Sequence, residues 1–203
     1  MYHSEFGQDK YLDETIFKGK RDGVFFECGA LDGEMDSNTL FFEKERGWTG
    51  LLVEAHPENA EICRAKRTAT VVHGALNDRE GHADFLACVG GLTGWSGMPD
   101  RFEREHADRV IEKIKSEQRT VVTVPCFRLQ TVLGAHGITR IDYATLDIEG
   151  AEYQVLQAFD WSVPIDVFEI EDNFGNFPID QFMGKRGYMK IARMGVSSIF
   201  KLY

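Results

Sequence analysis

Three groups of residues in this chain have the types and spacing to do chemistry. The first is Glu27-Cys28-Gly29-Ala30-Leu31-Asp32-Gly33, where an apolar run beginning at Gly23 ends in an acid and then in glycines. Glycines at a strand end let the chain turn tightly and let a ligand approach the backbone. About twenty residues later a second apolar run, Gly50-Leu51-Leu52-Val53-Glu54, ends on a carboxylate placed to bind ribose hydroxyls. A dinucleotide fingerprint would carry one glycine more, and a pyrophosphate would meet the like charge of Glu27. A zwitterionic, amino-acid-like ligand with a ribose suits the pattern better, because its ammonium group can approach acids. S-adenosylmethionine has that character.

The second group is Asp147, Glu149 and Glu152, at the end of the apolar run that starts at Ile141. Ligands of open α/β sheets bind outside the carboxyl ends of the strands, so Asp147 and Glu149 are expected near a cleft. Glu149 and Glu152 also suit the N-terminus of the following helix, where the dipole favours negative charge. Carboxylates this close need a positive partner, since repulsion otherwise raises a pKa. The third group, Glu171-Asp172-Asn173, ends the next apolar run. With Asp147, Asp172 and Asn173 offer the oxygen ligands that magnesium or calcium takes; an ordinary polar loop is the competing reading.

These groups need a scaffold, and composition limits what it can be. With 203 residues, 43% of them apolar, the chain can bury one substantial core, so a single domain over 1–203 is expected. A formal charge of −10 argues against nucleic acid as a partner. No apolar run approaches the ~18–20 residues of a membrane span, and Met1 to Phe6 lacks the basic and apolar regions of a signal peptide. A cytoplasmic protein with no membrane partner is the expectation. Cys28, Cys63, Cys88 and Cys126 are widely spaced and form no zinc pattern, which reads as reduced thiols. The six histidines make no triad with a serine or cysteine.

Short apolar runs alternate with amphipathic stretches, as strands and helices do around a largely parallel sheet. The pattern predicts a helix over 8–18 and strands near 23–28, 50–54, 70–73, 142–147, 165–171, 188–193 and 197–202. Asp36 and Ser37 can cap a helix that Gly47 stops, and Pro57 opens the next. Only a few residues around Gly195 separate the last two strands, so they must pair antiparallel. Residues 87–125 interrupt the rhythm as an insertion or lid. There a glycine-rich loop carries Trp95, and a charged stretch over 101–119 puts Glu105 one turn from Arg109. Strand character resumes at Val121 to Val124, with Ala83 to Phe85 as its expected partner.

The residues resemble the FkbM-type methyltransferases, class I enzymes that use S-adenosylmethionine, over nearly the whole chain. The resemblance runs from Ser4-Glu5-Phe6-Gly7-Gln8-Asp9 through Phe26 to Gly33, Asp36-Ser37-Asn38-Thr39 and Gly47 to Pro57. It continues in Ala75-Leu76-Asn77 and Trp95-Ser96-Gly97, and its most specific block is Leu146 to Glu152. Glu27 stands where an Asp is common, and Trp95 where a Leu is expected. The resemblance implies an α/β, Rossmann-like class I methyltransferase fold: a seven-stranded, mostly parallel sheet ending in an antiparallel hairpin, with helices on both faces. It implies methyl transfer to a hydroxyl of a sugar or polyketide-like small molecule. Glu27, Gly29 and Gly33 would wrap the methionine end and Glu54 would bond the ribose. Ala75, His56 and Asn77 would lie near adenine and Asp147 near the reacting methyl, while Gln8, Asp32 and Ser37 would complete the cofactor site. Two routes for the acceptor's proton stay open: a base among Asp147, Glu149, Glu152 and His106, or a divalent cation on Asp147, Asp172 and Asn173. A catalytically silent module that recognises a glycan or protein through the 90–119 loop is the alternative. A nicotinamide oxidoreductase would need the missing glycine.

Overall fold

The computed structural model describes residues 1–173, 175 and 177–203. Helix α1 (Gln8–Tyr11) runs directly into a π-helical stretch over Leu12–Phe17, where the sequence predicts one continuous helix. Strand and helix then alternate through β1 (Val24–Cys28), α2 (Leu40–Arg46), β2 (Thr49–Glu54), α3 (Pro57–Lys66) and β3 (Thr70–His73). The interruption holds β4 (Ala75–Leu76), β5 (Gly81–Cys88), a 3-10 turn over Gly90–Trp95, α4 (Arg104–Lys113) and β6 (Arg119–Phe127). Alternation resumes with α5 (Leu129–Ala135), β7 (Ile141–Leu146), α6 (Glu152–Ala158), β8 (Ile165–Glu171) and α7 (Ile179–Gly184), and closes on β9 (Tyr188–Met194) and β10 (Ser197–Leu202).

Seven strands form one sheet in the order β3-β2-β1-β7-β8-β10-β9. Pairing is parallel from β3 to β8 and antiparallel at β10 and β9, which make the terminal hairpin. This is the Rossmann-like class I methyltransferase fold that the motifs imply. Strand order reverses between β1 and β7, the crevice where such sheets place their ligands.

Side-chain alternation explains why both faces carry helices. Phe26, Cys28, Leu51, Val53, Ala144, Leu146, Phe168 and Ile170 point to one face and pack with Leu133 of α5, Leu156 of α6 and Met183 of α7. Phe25, Leu52, Tyr143 and Val167 point to the other, where Leu12, Phe42 and Trp48 cover them. The turns follow their residues. Ser37 Oγ accepts from the amides of Thr39 and Leu40 at the head of α2, and Gly47 ends it at φ +69°. Pro57 begins α3 behind His56, whose Nδ1 faces the Asn59 amide.

The interruption builds its own three-stranded sheet, β4-β6-β5. In it Ala83 pairs with Val124 and Phe85 with Val122, the partners expected from the sequence. Its inner side, with Ala75, Phe85, Met98, Val124 and Cys126, packs against Ala151 at the foot of α6. The charged stretch 101–119 contains α4, which buries Val110 with Ile114 and Cys88.

Candidate active site

Register places the acids. Because β2, β1, β7 and β8 are parallel, the residues one step beyond the paired Val53, Cys28, Leu146 and Ile170 form a row: Glu54, Gly29, Asp147 and Glu171. Gly29, in the middle, has φ +85°, and a Cβ there would stand 1.8 Å from the carbonyl oxygen of Asp147. Its amide donates to the Val53 oxygen at 3.0 Å, and the Asp147 amide donates to the Cys28 oxygen at 3.1 Å. The glycine therefore serves the close apposition of two strand ends, and it also stands on the wall of the cavity above them. Gly33, at φ +84°, makes room for Arg67 and Cys63 of the α3 end.

Above the row lies a cavity of about 190 Å³. Its lower wall is Cys28, Gly29, Val53, Glu54, Ala75, Leu76, Asp147 and Glu171, and the interruption supplies Phe85, Thr93, Gly94, Ser96 and Met98. Six carboxyl groups line it, those of Glu5, Asp36, Glu54, Asp147, Glu149 and Glu171, with no lysine, arginine or histidine among the described lining residues. Leu31, Asp36 and Glu149 on this wall hold positive φ without being glycine, a strained backbone that clusters at functional sites.

Electrostatics follows from crowding. Glu54 accepts from the amides of Leu31 and His56, both at 2.7 Å, yet burial pushes its pKa up to about 7. Asp147 is open to the cavity but deep in the molecule; desolvation, then Glu149, raises its pKa to about 7. Glu171 hydrogen-bonds Asp147 and is raised well above the usual carboxylate range, first by burial and then by the charges of Asp147 and Glu149. Burial is the leading cause in each case, and for Asp147 and Glu171 the neighbouring acids add to it.

Several expected site residues lie elsewhere. Glu27 points away from the cavity, two residues below Gly29 on β1. It accepts from Ser37 Oγ, the Asn38 amide and Thr39 Oγ1, and faces the Arg67 guanidinium at 3.4 Å. Ser37 belongs to the same network. Asp32 caps the turn at Glu34 and Met35 and pairs with Lys66. Gln8 is buried, taking the Phe6 amide and bonding Glu169. His56 Nε2 faces the Cys88 oxygen at 3.0 Å behind the wall, and Asn77 receives Arg101 at 2.9 Å. Of the adenine-side residues, Ala75 reaches the cavity.

Among the catalytic candidates, Glu152 spends both oxygens on the amides of Ile148 and Gly150, at 2.7 and 3.0 Å, which fixes the β7–α6 loop. Burial raises its pKa to about 8. Glu149 lies on the cavity wall, and its carboxylate meets His106 Nδ1 at 3.0 Å and Asn173 Nδ2 at 3.5 Å. His106 Nε2 is buried without a partner. The metal expectation needs correction in its members: Asp172 turns its Oδ1 to the Gly175 amide at 2.8 Å. Oxygens of Asp147, Glu149 and Glu171 instead lie within 4.8 Å of one another, a hard-oxygen set whose spacing fits a divalent cation. The sequence reading put Glu171 in an acid-acid-amide group at a strand end but gave it no site role of its own, and it gave none to Glu5, Asp36 or Met98. For Glu171 the signal was there: aligning the ends of the parallel strands puts it level with Asp147.

All four cysteines are free and buried, and among the described residues no helix is long and apolar enough to cross a membrane. A family model described as "Methyltransferase FkbM domain" matches residues 27–189. No curated protein sequence matches the chain. Among solved structures, the chain is similar to a precorrin-6y C5,15-methyltransferase from Geobacter metallireducens GS-15, at 13% identity and a TM-score of 0.44, over 91% of this chain and 82% of that one. A variant of MtNAS in complex with S-adenosylmethionine is 10% identical with a TM-score of 0.43, over 97% of this chain and 62% of that one. MtNAS in complex with MTA and tNA gives 10% and 0.42, with 97% and 58% covered.

Proposed function

The chain belongs to the FkbM methyltransferase family, and from that premise we propose that it transfers a methyl group from S-adenosylmethionine to a hydroxyl oxygen of a small molecule, such as a sugar or polyketide-like compound. The carrying observation is the Glu54-Gly29-Asp147-Glu171 row beneath a cavity walled by six carboxyl groups, with no lysine, arginine or histidine among the described lining residues. A ligand with a sulfonium, an ammonium and one carboxylate is net positive, and it suits such a wall. Glu54 takes the ribose hydroxyls, Ala75 and Leu76 face adenine, and Asp147 with Glu171 faces the positive end.

When bound, S-adenosylmethionine supplies an electrophilic methyl carbon on sulfur. The residues then have to align an acceptor and remove one proton. His106, its Nδ1 held by Glu149, would take the acceptor's proton on Nε2. Glu149 fixes the tautomer and stabilises the imidazolium. Glu152 holds the loop that carries Glu149. The segment bearing Thr93 to Met98 roofs this cavity of about 190 Å³.

Titration calorimetry with S-adenosylhomocysteine tests the cofactor assignment: saturable binding is expected, and absence of binding would leave the fold as a silent recognition module. The close grouping of Asp147, Glu149 and Glu171 favours a second reading, in which these three hold a divalent cation that lowers the acceptor hydroxyl's pKa. Turnover that survives chelator excludes it.

A further inference from the structure

The segment ahead of α1 returns to the cavity, where Glu5 stands on the wall together with Asp36 of the turn between β1 and α2. That segment is pinned on both sides of Glu5. Buried Asp9 accepts from the amides of His3 and Ser4, at 2.6 and 3.3 Å, and from Ser4 Oγ at 2.7 Å. Just past Glu5, the Phe6 amide donates to Gln8 Oε1 at 2.9 Å, and Gly7 turns the chain at φ +79°. The Phe6 ring lies against Gly195 in the β9–β10 turn, where a Cβ would stand 2.3 Å from it. The fold thus sets where Glu5 stands. Its charge reaches the floor, being among those that raise the pKa of Asp147, while burial and then Asp36 raise that of Glu5 itself. Lys44 and Lys66, which border the same turn, are held by Glu34 and Asp32 respectively, at 3.3 and 2.5 Å.

We propose that Glu5, seconded by Asp36, seats the α-ammonium group of S-adenosylmethionine, the place at the methionine end that the motifs suggest for Glu27. The proposal rests on the S-adenosylmethionine reading and deepens it. With the ribose on Glu54 and adenine beside Ala75, the sulfur comes to lie over Gly29 and Asp147, and the wall then offers the methionine chain two directions. One leads to Glu149, whose loop opens α6 on one face of the sheet and meets His106. The other leads to Leu31, Asp36 and Glu5, on the opposite face: Phe41 and Phe42 of α2 pack there with Leu12 and Tyr2, which flank Glu5 in the chain. A chain laid toward Glu149 occupies the acceptor's place, whereas one laid toward Asp36 leaves the methyl facing the base. An ammonium brings three donors and a charge to two carboxylates, a charge-assisted contact of the stronger kind. Glu5 is exposed, so its carboxylate is available to a ligand as the chain stands.

Titration calorimetry near neutral pH tests this by comparing S-adenosylhomocysteine with its deamino analogue, in which hydrogen replaces the α-amino group. The wild-type protein is expected to bind S-adenosylhomocysteine roughly 10-fold more tightly than the analogue. In Glu5→Gln and in Asp36→Asn that gap is expected to narrow to about threefold or less. S-adenosylhomocysteine then loses affinity, while the analogue, whose carboxylate meets one negative charge fewer, keeps or gains it. A side chain that merely supported the wall would weaken both ligands alike, so a gap that stays as wide in Glu5→Gln overturns the proposal. A gap absent from the wild-type protein overturns it too. Gly195→Ala, which pushes on Phe6 and shifts the segment, is expected to narrow the gap with Glu5 intact. Failure of S-adenosylhomocysteine to bind at all sinks the cofactor reading and this inference with it, whereas binding without amine preference sinks this inference alone.

Discussion

Glu27 and Arg67 show how differently one residue reads in sequence and in space. An acid before a glycine turn looks like a ligand for the cofactor, but Arg67, fully buried, spreads its guanidinium over Glu27, Glu43, Ser37, Thr39 and the Gly33 oxygen. Removing one partner of such a set strands a buried charge. Arg67→Met is therefore expected to lose about 3–5 kcal/mol of stability in urea unfolding. Nothing local marks Arg67, because its partner lies 40 positions away. Glu54 is the contrasting case, legible because it ends an apolar run one step past its neighbours' pairing. Glu54→Gln should weaken S-adenosylhomocysteine roughly 10-fold or more in calorimetry, the scale of a charge-assisted hydrogen bond. Unchanged affinity would remove Glu54 from the ribose.

At the level of elements, the main sheet was readable and the structure over the cavity was only partly so. Strands such as Leu51 to Val53 or Phe168 to Ile170 are buried on both faces and announce themselves as apolar runs. The roof depends on contacts far apart in the chain: Ala75 pairs with Cys126, and Leu86 bridges Gly97. Periodicity carries no trace of such pairings, though the match of Ala83 with Val124 was visible from two short strand-like runs. The roof is fastened to the β7–α6 loop at Gly150, where a Cβ would stand 2.5 Å from the Arg101 oxygen. Gly150→Ala is expected to speed amide exchange across residues 90–119 while β1, β2 and β7 keep their protection. Equal protection in both proteins would show that the fastening lies elsewhere. Gly29→Ala pushes on the Asp147 backbone instead, so it should lower the melting temperature and abolish cofactor binding together.

For the whole molecule, the buried acids set how stability depends on pH. Glu54, Asp147 and Glu169 have pKa values raised to about 7 and Glu152 to about 8, burial being the leading cause in each. An acid whose folded pKa exceeds its unfolded one binds more protons when folded. Its stabilisation is complete below about pH 4 and is lost as pH rises through 7–8. Asp13, bonded by Arg46, runs the other way, as do Asp32 and Glu43, where Lys66 and Arg67 outweigh burial. Those contributions disappear as acid protonates the carboxylates. Thermal melts should thus peak at mildly acidic pH and fall toward about pH 8. S-adenosylmethionine, being cationic, should raise the melting temperature more at the alkaline end; an equal rise at both ends would show that the cavity acids do not face it. The two surfaces around the ligand also differ in what it takes to disturb them. The floor is part of the main hydrogen-bond ladder, since Gly29 and Asp147 are tied to Val53 and Cys28. The roof hangs on a separate small sheet and a few side chains. Floor opening demands breaking the central sheet, so ligand exchange belongs to the roof, and substitutions over 90–119 are expected to change ligand on- and off-rates while the main sheet keeps its stability.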